Sequence, residues 1–268
     1  MNRIEAIFQL LRQDKKKALM PFICAGRPTV DRLPELLRTI ESSGASIVEI
    51  GIPFSDPIAD GPVIAAAMHE ALLEGVTPQQ VFSAVKKARD DVSLGLVAMV
   101  SASIVMRSGI ESFAREAAAA GFDGLIVPDA PADEAIPIRD AAAQAGLTLS
   151  LLVAPATPPD RAKRITDLCS GFVYLLARAG ITGERDDAPD IEKPVQNLRT
   201  MTELPIACGF GISSPEQVRA VVEHADAAIV GSALVRRIED AIQTGEDPVA
   251  IAGAFVAELA AGLDASAA

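Results

Sequence analysis

SIVEIGIPFSDPIADGP, Ser46 to Pro62, joins a buried strand to a stiff acidic loop and the start of a helix. Residues 46–50 read as a strand because β-branched side chains dominate them, and the run breaks at Gly51 and Pro53, residue types that interrupt regular pairing. One charge sits inside it. With a period of two, Ile47, Glu49 and Gly51 share one face and Val48 and Ile50 the other, so Glu49 points with the last side chains of its strand. Ionised groups are rarely fully buried and cost several kcal/mol when left without a partner. The loop that follows adds Asp56 and Asp60, is stiffened by Pro53, Pro57 and Pro62, and hands over at Gly61-Pro62 to the helical run IAAAMHEALLEG. A rigid acidic loop beside a buried acid is a candidate proton-transfer site.

The same alternation runs through the chain. Strands are expected at 18–24, 46–50, 95–100, 123–127, 147–152, 171–176, 204–208 and 226–230. Helices are expected at 30–43, 62–73, 78–90, 109–119, 132–145, 159–168, 190–201, 214–224, 232–242 and 247–262. Pro21 weakens the first strand, since proline cannot donate to a ladder. Runs such as GLIV at 124–127, LSLLV at 149–153, FVYLL at 172–176 and AAIVG at 227–231 are continuously apolar, the mark of a parallel sheet buried on both faces. Eight such units close into a (β/α)8 TIM barrel, one domain over residues 1–268, with an extra N-terminal helix and extra helices after strands 2 and 8. The rival is an open doubly wound sheet. Its dinucleotide fingerprint is missing, because Gly209-Phe210-Gly211 lacks the third glycine and stands far too late.

Composition removes several classes of function. A chain of 268 residues, 50% apolar and 22% charged, has the balance of a soluble globular protein, and no stretch approaches the roughly 18 uninterrupted apolar residues of a membrane span. The N-terminal MNRIEAIFQLLRQDKKK spaces Ile4, Ile7, Phe8, Leu10 and Leu11 among charges, which is an amphipathic helix and not a signal peptide. A net charge of -12 argues against nucleic acid, and the basic run Lys15-Lys16-Lys17 reads as a solvated turn. The three cysteines, Cys24, Cys169 and Cys208, show no paired spacing, so a cytoplasmic location is expected. His69 and His224 each lie in a helical run, and no metal site is expected.

In a barrel the chemistry lies at the carboxyl ends of the strands. Those ends supply Cys24, Glu49, the 100–103 segment, Asp129, Tyr174, Cys208 and Gly231, with neither lysine nor histidine among them. Schiff-base catalysis is disfavoured, and acid-base work falls to carboxylates. Desolvation at an apolar strand end would raise the pKa of Glu49 into a useful range. Each acid also has a structural alternative: an ion pair for Glu49, a helix cap near Pro62 for Asp60, and the turn into helix 132–145 for Asp129. Glycines after strands seven and eight, in Cys208-Gly209-Phe210-Gly211-Ile212-Ser213 and Gly231-Ser232, let backbone N–H groups approach a phosphate. The glycines of Ala179 to Arg185 permit a loop that closes over the mouth and adds the Gly183 N–H. Tyr174, the only tyrosine, suits either the core or the pocket lining.

Together these residues resemble the alpha subunit of tryptophan synthase. The resemblance runs from Phe22 to Val235 through PFICAGRPT, VEIGIPFSDPIADGPVI, GLIVPDAP, YLLARAGITGER, GFGISSPEQV and GSALV, in order and at the right spacing. It implies a lyase that cleaves indole-3-glycerol phosphate to indole and glyceraldehyde 3-phosphate. No cofactor is implied in this chain; pyridoxal phosphate would belong to a partner beta subunit in an alpha2-beta2 complex. Carried over, Glu49 would shuttle protons at the indole C3 and the glycerol hydroxyl, and Asp60 would stabilise positive charge at the indole nitrogen. Phe22, Met99, Ile126, Tyr174 and Phe210 would line the indole pocket, Gly183, Gly211, Gly231 and Ser232 would hold the phosphate, and Thr182 would help position Glu49. Val100-Ser101-Ala102-Ser103 replaces a segment that usually carries a tyrosine and an asparagine, in a region the family uses against its beta subunit, and Arg27 stands where an aspartate is common.

Three other functions compete: a non-catalytic activator of a beta subunit, a free-standing lyase that releases indole, and another phosphate-binding barrel enzyme such as an isomerase. Intact Glu49 and Asp60 speak against the first, and the missing strand-end lysines and histidines against the last.

Overall fold

The computed structural model describes residues 1–57, 60–177, 190–209 and 211–263. Its parallel strands are β1 (Ala18–Cys24), β2 (Ile47–Gly51), β3 (Gly95–Met99), β4 (Gly124–Ile126), β5 (Thr148–Ser150), β6 (Leu152–Val153), β7 (Val173–Leu176), β8 (Ile206–Gly209) and β9 (Ala227–Val230). The sheet order runs β5-β4-β3-β2-β1-β9-β8-β7-β6. Its two ends, β5 and β6, are halves of the one strand expected at 147–152, parted at Leu151, so the sheet closes on itself and the open doubly wound alternative falls. The break has a local cause. On the β7 side the Leu149 N–H donates to Ser170 Oγ at 3.0 Å and the Leu151 N–H to Cys169 Sγ at 3.3 Å, so side chains stand in for part of the backbone ladder.

Register gives the barrel's stagger. From Phe22 the pairs lead through Glu49, Val97 and Gly124 to Thr148. From Ala18, four residues earlier on β1, they lead the other way through Ala227, Ala207 and Tyr174 to Leu152, four residues later than Thr148. Four and four make a stagger of eight, the value for a TIM barrel. Each step therefore shifts by about one residue, and inward side chains from alternate strands lie level. Glu49, Ile126, Tyr174 and Ile229 form one layer. Phe22, Met99, Leu152 and Gly209 form the layer above, and Met20, Val97, Ser150 and Ala207 the layer below.

Pro21 does not break β1, all seven residues of which are buried. The expected N-terminal helix is α1 (Arg3–Gln13), with a capping box from Asn2 and Glu5. Its Ile4 and Ile7 close the lower end of the barrel against Gly95 and Gly124, where a Cβ would lie 3.3 and 3.2 Å from these side chains at Gly95 and 2.9 Å from Ile4 at Gly124. The outer ring includes α2 (Leu33–Ser42), the pair α3 (Pro62–Leu73) and α4 (Pro78–Ala88) after β2, and, after β3, α5 (Ala102–Ser108) and α6 (Ile110–Ala120). It continues with α7 (Ala135–Gln144), α8 (Pro159–Leu168), α9 (Glu192–Arg199) and α10 (Pro215–Val222), and ends on the pair α11 (Ser232–Thr244) and α12 (Pro248–Ala260). The additional helices after strands 2 and 8 are those expected. Helix α5 is not: the single helix expected at 109–119 is preceded by a seven-residue turn of helix started by Ser101, whose hydroxyl accepts from the Ser103 N–H. No helix among the described residues is long and apolar enough to cross a membrane.

Candidate active site

Glu49 stands midway up the barrel, 1% exposed, in the layer of Ile126 and Tyr174. Its Oε1 is sealed from solvent and has no hydrogen-bond partner. Burial drives its pKa well above the ordinary carboxylate range, and the charge of Asp60 adds to the rise. Among the described residues it has no ion pair. A carboxyl whose neutral, proton-bearing form is favoured by burial in an apolar cavity has the electrostatic profile of a general acid.

Asp60 reaches the site from the loop after β2, where its N–H donates to the Pro57 carbonyl at 2.9 Å. Burial first, then the charge of Asp129, push its pKa up to about 6. It does not occupy the capping position of α3, which belongs to Gly61. Asp60 shares one cleft with Ile52, Met68, Met99, Ser101 and Asp129. Asp129 lies in the turn between β4 and α7, the structural alternative offered for it, but its side chain reaches further. Its carboxylate accepts from Ser101 Oγ at 2.6 Å and from the Ala102 N–H at 2.8 Å, so it anchors the start of α5.

Two glycines make room for the rings above Glu49. A Cβ at Gly51 would lie 2.5 Å from Phe22 Cζ, and one at Gly209 would lie 2.7 Å from the Tyr174 hydroxyl. Phe22, Met99, Ile126 and Tyr174 are all buried, and they gather in the Glu49 layer and the one above it. Burial raises the Tyr174 pKa well above its ordinary value, with Glu49 and Asp60 contributing after it. Leu152 and Leu176, absent from the sequence-based set, point inward by the same parity and are partly exposed at the mouth.

The last pair of β8 and β9 joins Gly209 to Ile229, and Gly211 and Gly231 each follow two residues later in the chain. Gly211 takes a left-handed φ of 79°. A Cβ on Gly231 would meet nothing nearer than 3.5 Å, and the Ser232 hydroxyl at the start of α11 is buried without a partner. Among the described residues the Ser232 hydroxyl is thus the polar group left without a partner at this end of the mouth. Thr182, Gly183 and Phe210, like the loop over 179–185, lie outside the described residues.

Arg27 is drawn away from the acids of the cleft. It donates through Nε to Glu239 at 2.6 Å, through Nη2 to the same carboxylate at 2.5 Å, and through Nη1 to Glu74 at 2.9 Å. It therefore ties the strand-one loop to α3 and α11.

The family sequence model described as tryptophan synthase alpha chain matches residues 8–263. A tryptophan synthase alpha chain from Carboxydothermus hydrogenoformans is 42% identical over 244 residues, covering 91% of this chain and 91% of that one. Among solved structures, tryptophan synthase subunit alpha from Legionella pneumophila superposes with a TM-score of 0.91 at 32% identity, covering 98% of this chain and 99% of that one. A chain of Mycobacterium tuberculosis tryptophan synthase gives 0.89 at 33% identity over 99% and 100%.

Proposed function

The chain belongs to the tryptophan synthase alpha chain family and is an indole-3-glycerol-phosphate lyase of tryptophan biosynthesis; on that premise we propose that Glu49 and Asp60 carry the reaction. Glu49, its proton-bearing form favoured by burial, gives that proton to the indole C3 and then takes one from the hydroxyl on the adjoining glycerol carbon. The bond between that carbon and C3 breaks, its electron pair returns to the indole ring, the carbon becomes the aldehyde, and Glu49 ends protonated as it began. Asp60 holds the positive charge that passes through the ring nitrogen. An anion in a cleft shielded from water offsets such a charge far better than one in solution.

The observation that supports this reading is the Glu49 Oε1, buried without a hydrogen-bond partner in a layer level with Ile126 and Tyr174. Phe22, Met99, Ile126, Tyr174 and Phe210 would bracket the indole, and Gly183, Gly211, Gly231 and Ser232 would take the phosphate through N–H and hydroxyl donors, with Thr182 orienting Glu49. Backbone donors suit a phosphate in so acidic a protein. Residues 1–268 act as one barrel domain in this reading, at work in the cytoplasm. The alpha chain of this family uses no cofactor of its own. Indole passes to a pyridoxal-phosphate beta subunit in an alpha2-beta2 complex. A groove between the loop at Pro53 to Ser55, the start of α4 and the outer side of α5 offers that partner a partly apolar surface. An assay of indole release from indole-3-glycerol phosphate, with and without a beta subunit, tests the reading: release alone, stimulated by the partner, is expected, and no release in either case would overturn it.

A further inference from the structure

Asp129 follows β4 and shares with Asp60 the walls of one cleft. Both of its carboxylate oxygens are held from the end of β3, Oδ2 by Ser101 Oγ at 2.6 Å and Oδ1 by the Ala102 N–H at 2.8 Å. The same Ser101 hydroxyl accepts from the Ser103 N–H at 3.2 Å, so one short side chain both starts α5 and fixes Asp129. Ser101 is 7% exposed, which leaves little room for the pair to swing away. We infer that Asp129, clamped by Ser101 and the first N–H of α5, is a positioning residue for the lyase reaction, its fixed charge backing that of Asp60 without touching the substrate. This inference rests on the proposed role of Asp60.

The surroundings of Asp60 leave that task to Asp129. Glu49 from β2, Cys24 from β1 and Tyr174 from β7 all feel the charge of Asp60. Asp56 lines the cleft from the same loop as Asp60. Arg27 is engaged by Glu239 and Glu74, and no described cation pairs with Asp60. Asp129 is the neighbour whose charge opposes ionisation of Asp60. When the indole ring turns cationic, the fixed Asp129 charge adds its attraction to that of Asp60. Ser101 thus has a task beside the active site, holding Asp129 in place.

The test is the pH profile of indole release by the full chain carrying Asp129→Asn, Ser101→Ala, Ser101→Thr or Asp60→Asn. Wild type should lose kcat/KM below about pH 6, where Asp60 takes up its proton. Asp129→Asn keeps the shape and removes the charge. It should move that limb at least about half a pH unit lower and reduce plateau kcat roughly three- to tenfold with KM within about twofold. Ser101→Ala should change both in the same direction by less, and Ser101→Thr should restore them. Ser101→Ala alters no charge and reads the same clamp if Asp129→Asn does not fold. An unmoved limb in Asp129→Asn, or a raised KM at unchanged kcat, overturns the inference while leaving Asp60 in place. Full turnover and an intact acid limb in Asp60→Asn overturn both.

Discussion

Gly51 ends β2 with the Phe22 ring pressed over it. A Cβ there would stand 2.5 Å from Phe22 Cζ, 2.7 Å from Cε2 and 3.3 Å from Met68 Cε. Optimal carbon contacts lie at about 3.5–4.0 Å, so Gly51→Ala must push the ring back by about 1 Å. Phe22 is 2% exposed and has little free space to retreat into. Overpacking of this kind costs about 1–3 kcal/mol, and for a chain of this size each kcal/mol lowers Tm by roughly 2–4 °C. Phe22 lies one layer above Glu49, so a displaced ring narrows the proposed indole pocket. A loss of about 1 kcal/mol of binding there would raise KM roughly fivefold. Chemical unfolding and steady-state kinetics on Gly51→Ala, Phe22→Leu and the double variant check both effects. The clash requires both partners, so the double variant should be no less stable than Phe22→Leu alone. Wild-type stability and KM in Gly51→Ala, or fully additive losses in the double, would refute the reasoning.

Three further outcomes follow from the same geometry. The pKa of Asp60 is raised from 3.8 to about 6, so its contribution to stability is full below 3.8 and is lost as pH rises through 6. Asp60→Asn should therefore be more stable than wild type at pH 7.5, by up to about 3 kcal/mol, with the gain shrinking by pH 4.5 in urea melts, even as turnover falls. Burial lifts the thiols of Cys169 and Cys208 to about 12 and that of Cys24 also upward, so a thiol reagent should label none of the three in the native protein and all of them after denaturation. Arg27→Met leaves the Glu239 side chain, 16% exposed, without its partner and should cost about 2–4 kcal/mol in unfolding experiments, much of it recovered by adding Glu239→Gln.

The barrel was legible because its strands are apolar on both faces and stop at glycine or proline, as at Val48-Glu49-Ile50-Gly51. The split at Leu151 was not, since it arises where Ser170 and Cys169 intercept ladder bonds from a different stretch of chain. Helix α5 left a faint signal, Ser101 at its start and Gly109 at its end, but seven residues carry too little periodicity to separate it from a strand end. Glu49 declared itself as a charge inside a strand. Asp129 stood among the strand-end candidates, but its clamp could not be read, because its donors lie 28 and 27 residues back along the chain. The need for glycine at 51 and 209 is also tertiary, set by the rings of Phe22 and Tyr174 on neighbouring strands. Arg27 read as a bare departure from the family, and only the fold supplies Glu239 and Glu74.

The most direct test of the account is the turnover of Glu49→Gln, measured as indole released from indole-3-glycerol phosphate under saturating substrate. The amide preserves the size of the side chain but cannot deliver a proton to C3. The account predicts a folded protein that still binds a phosphate-bearing substrate analogue and turns over at least roughly 100-fold more slowly. Turnover within a few-fold of wild type would contradict it.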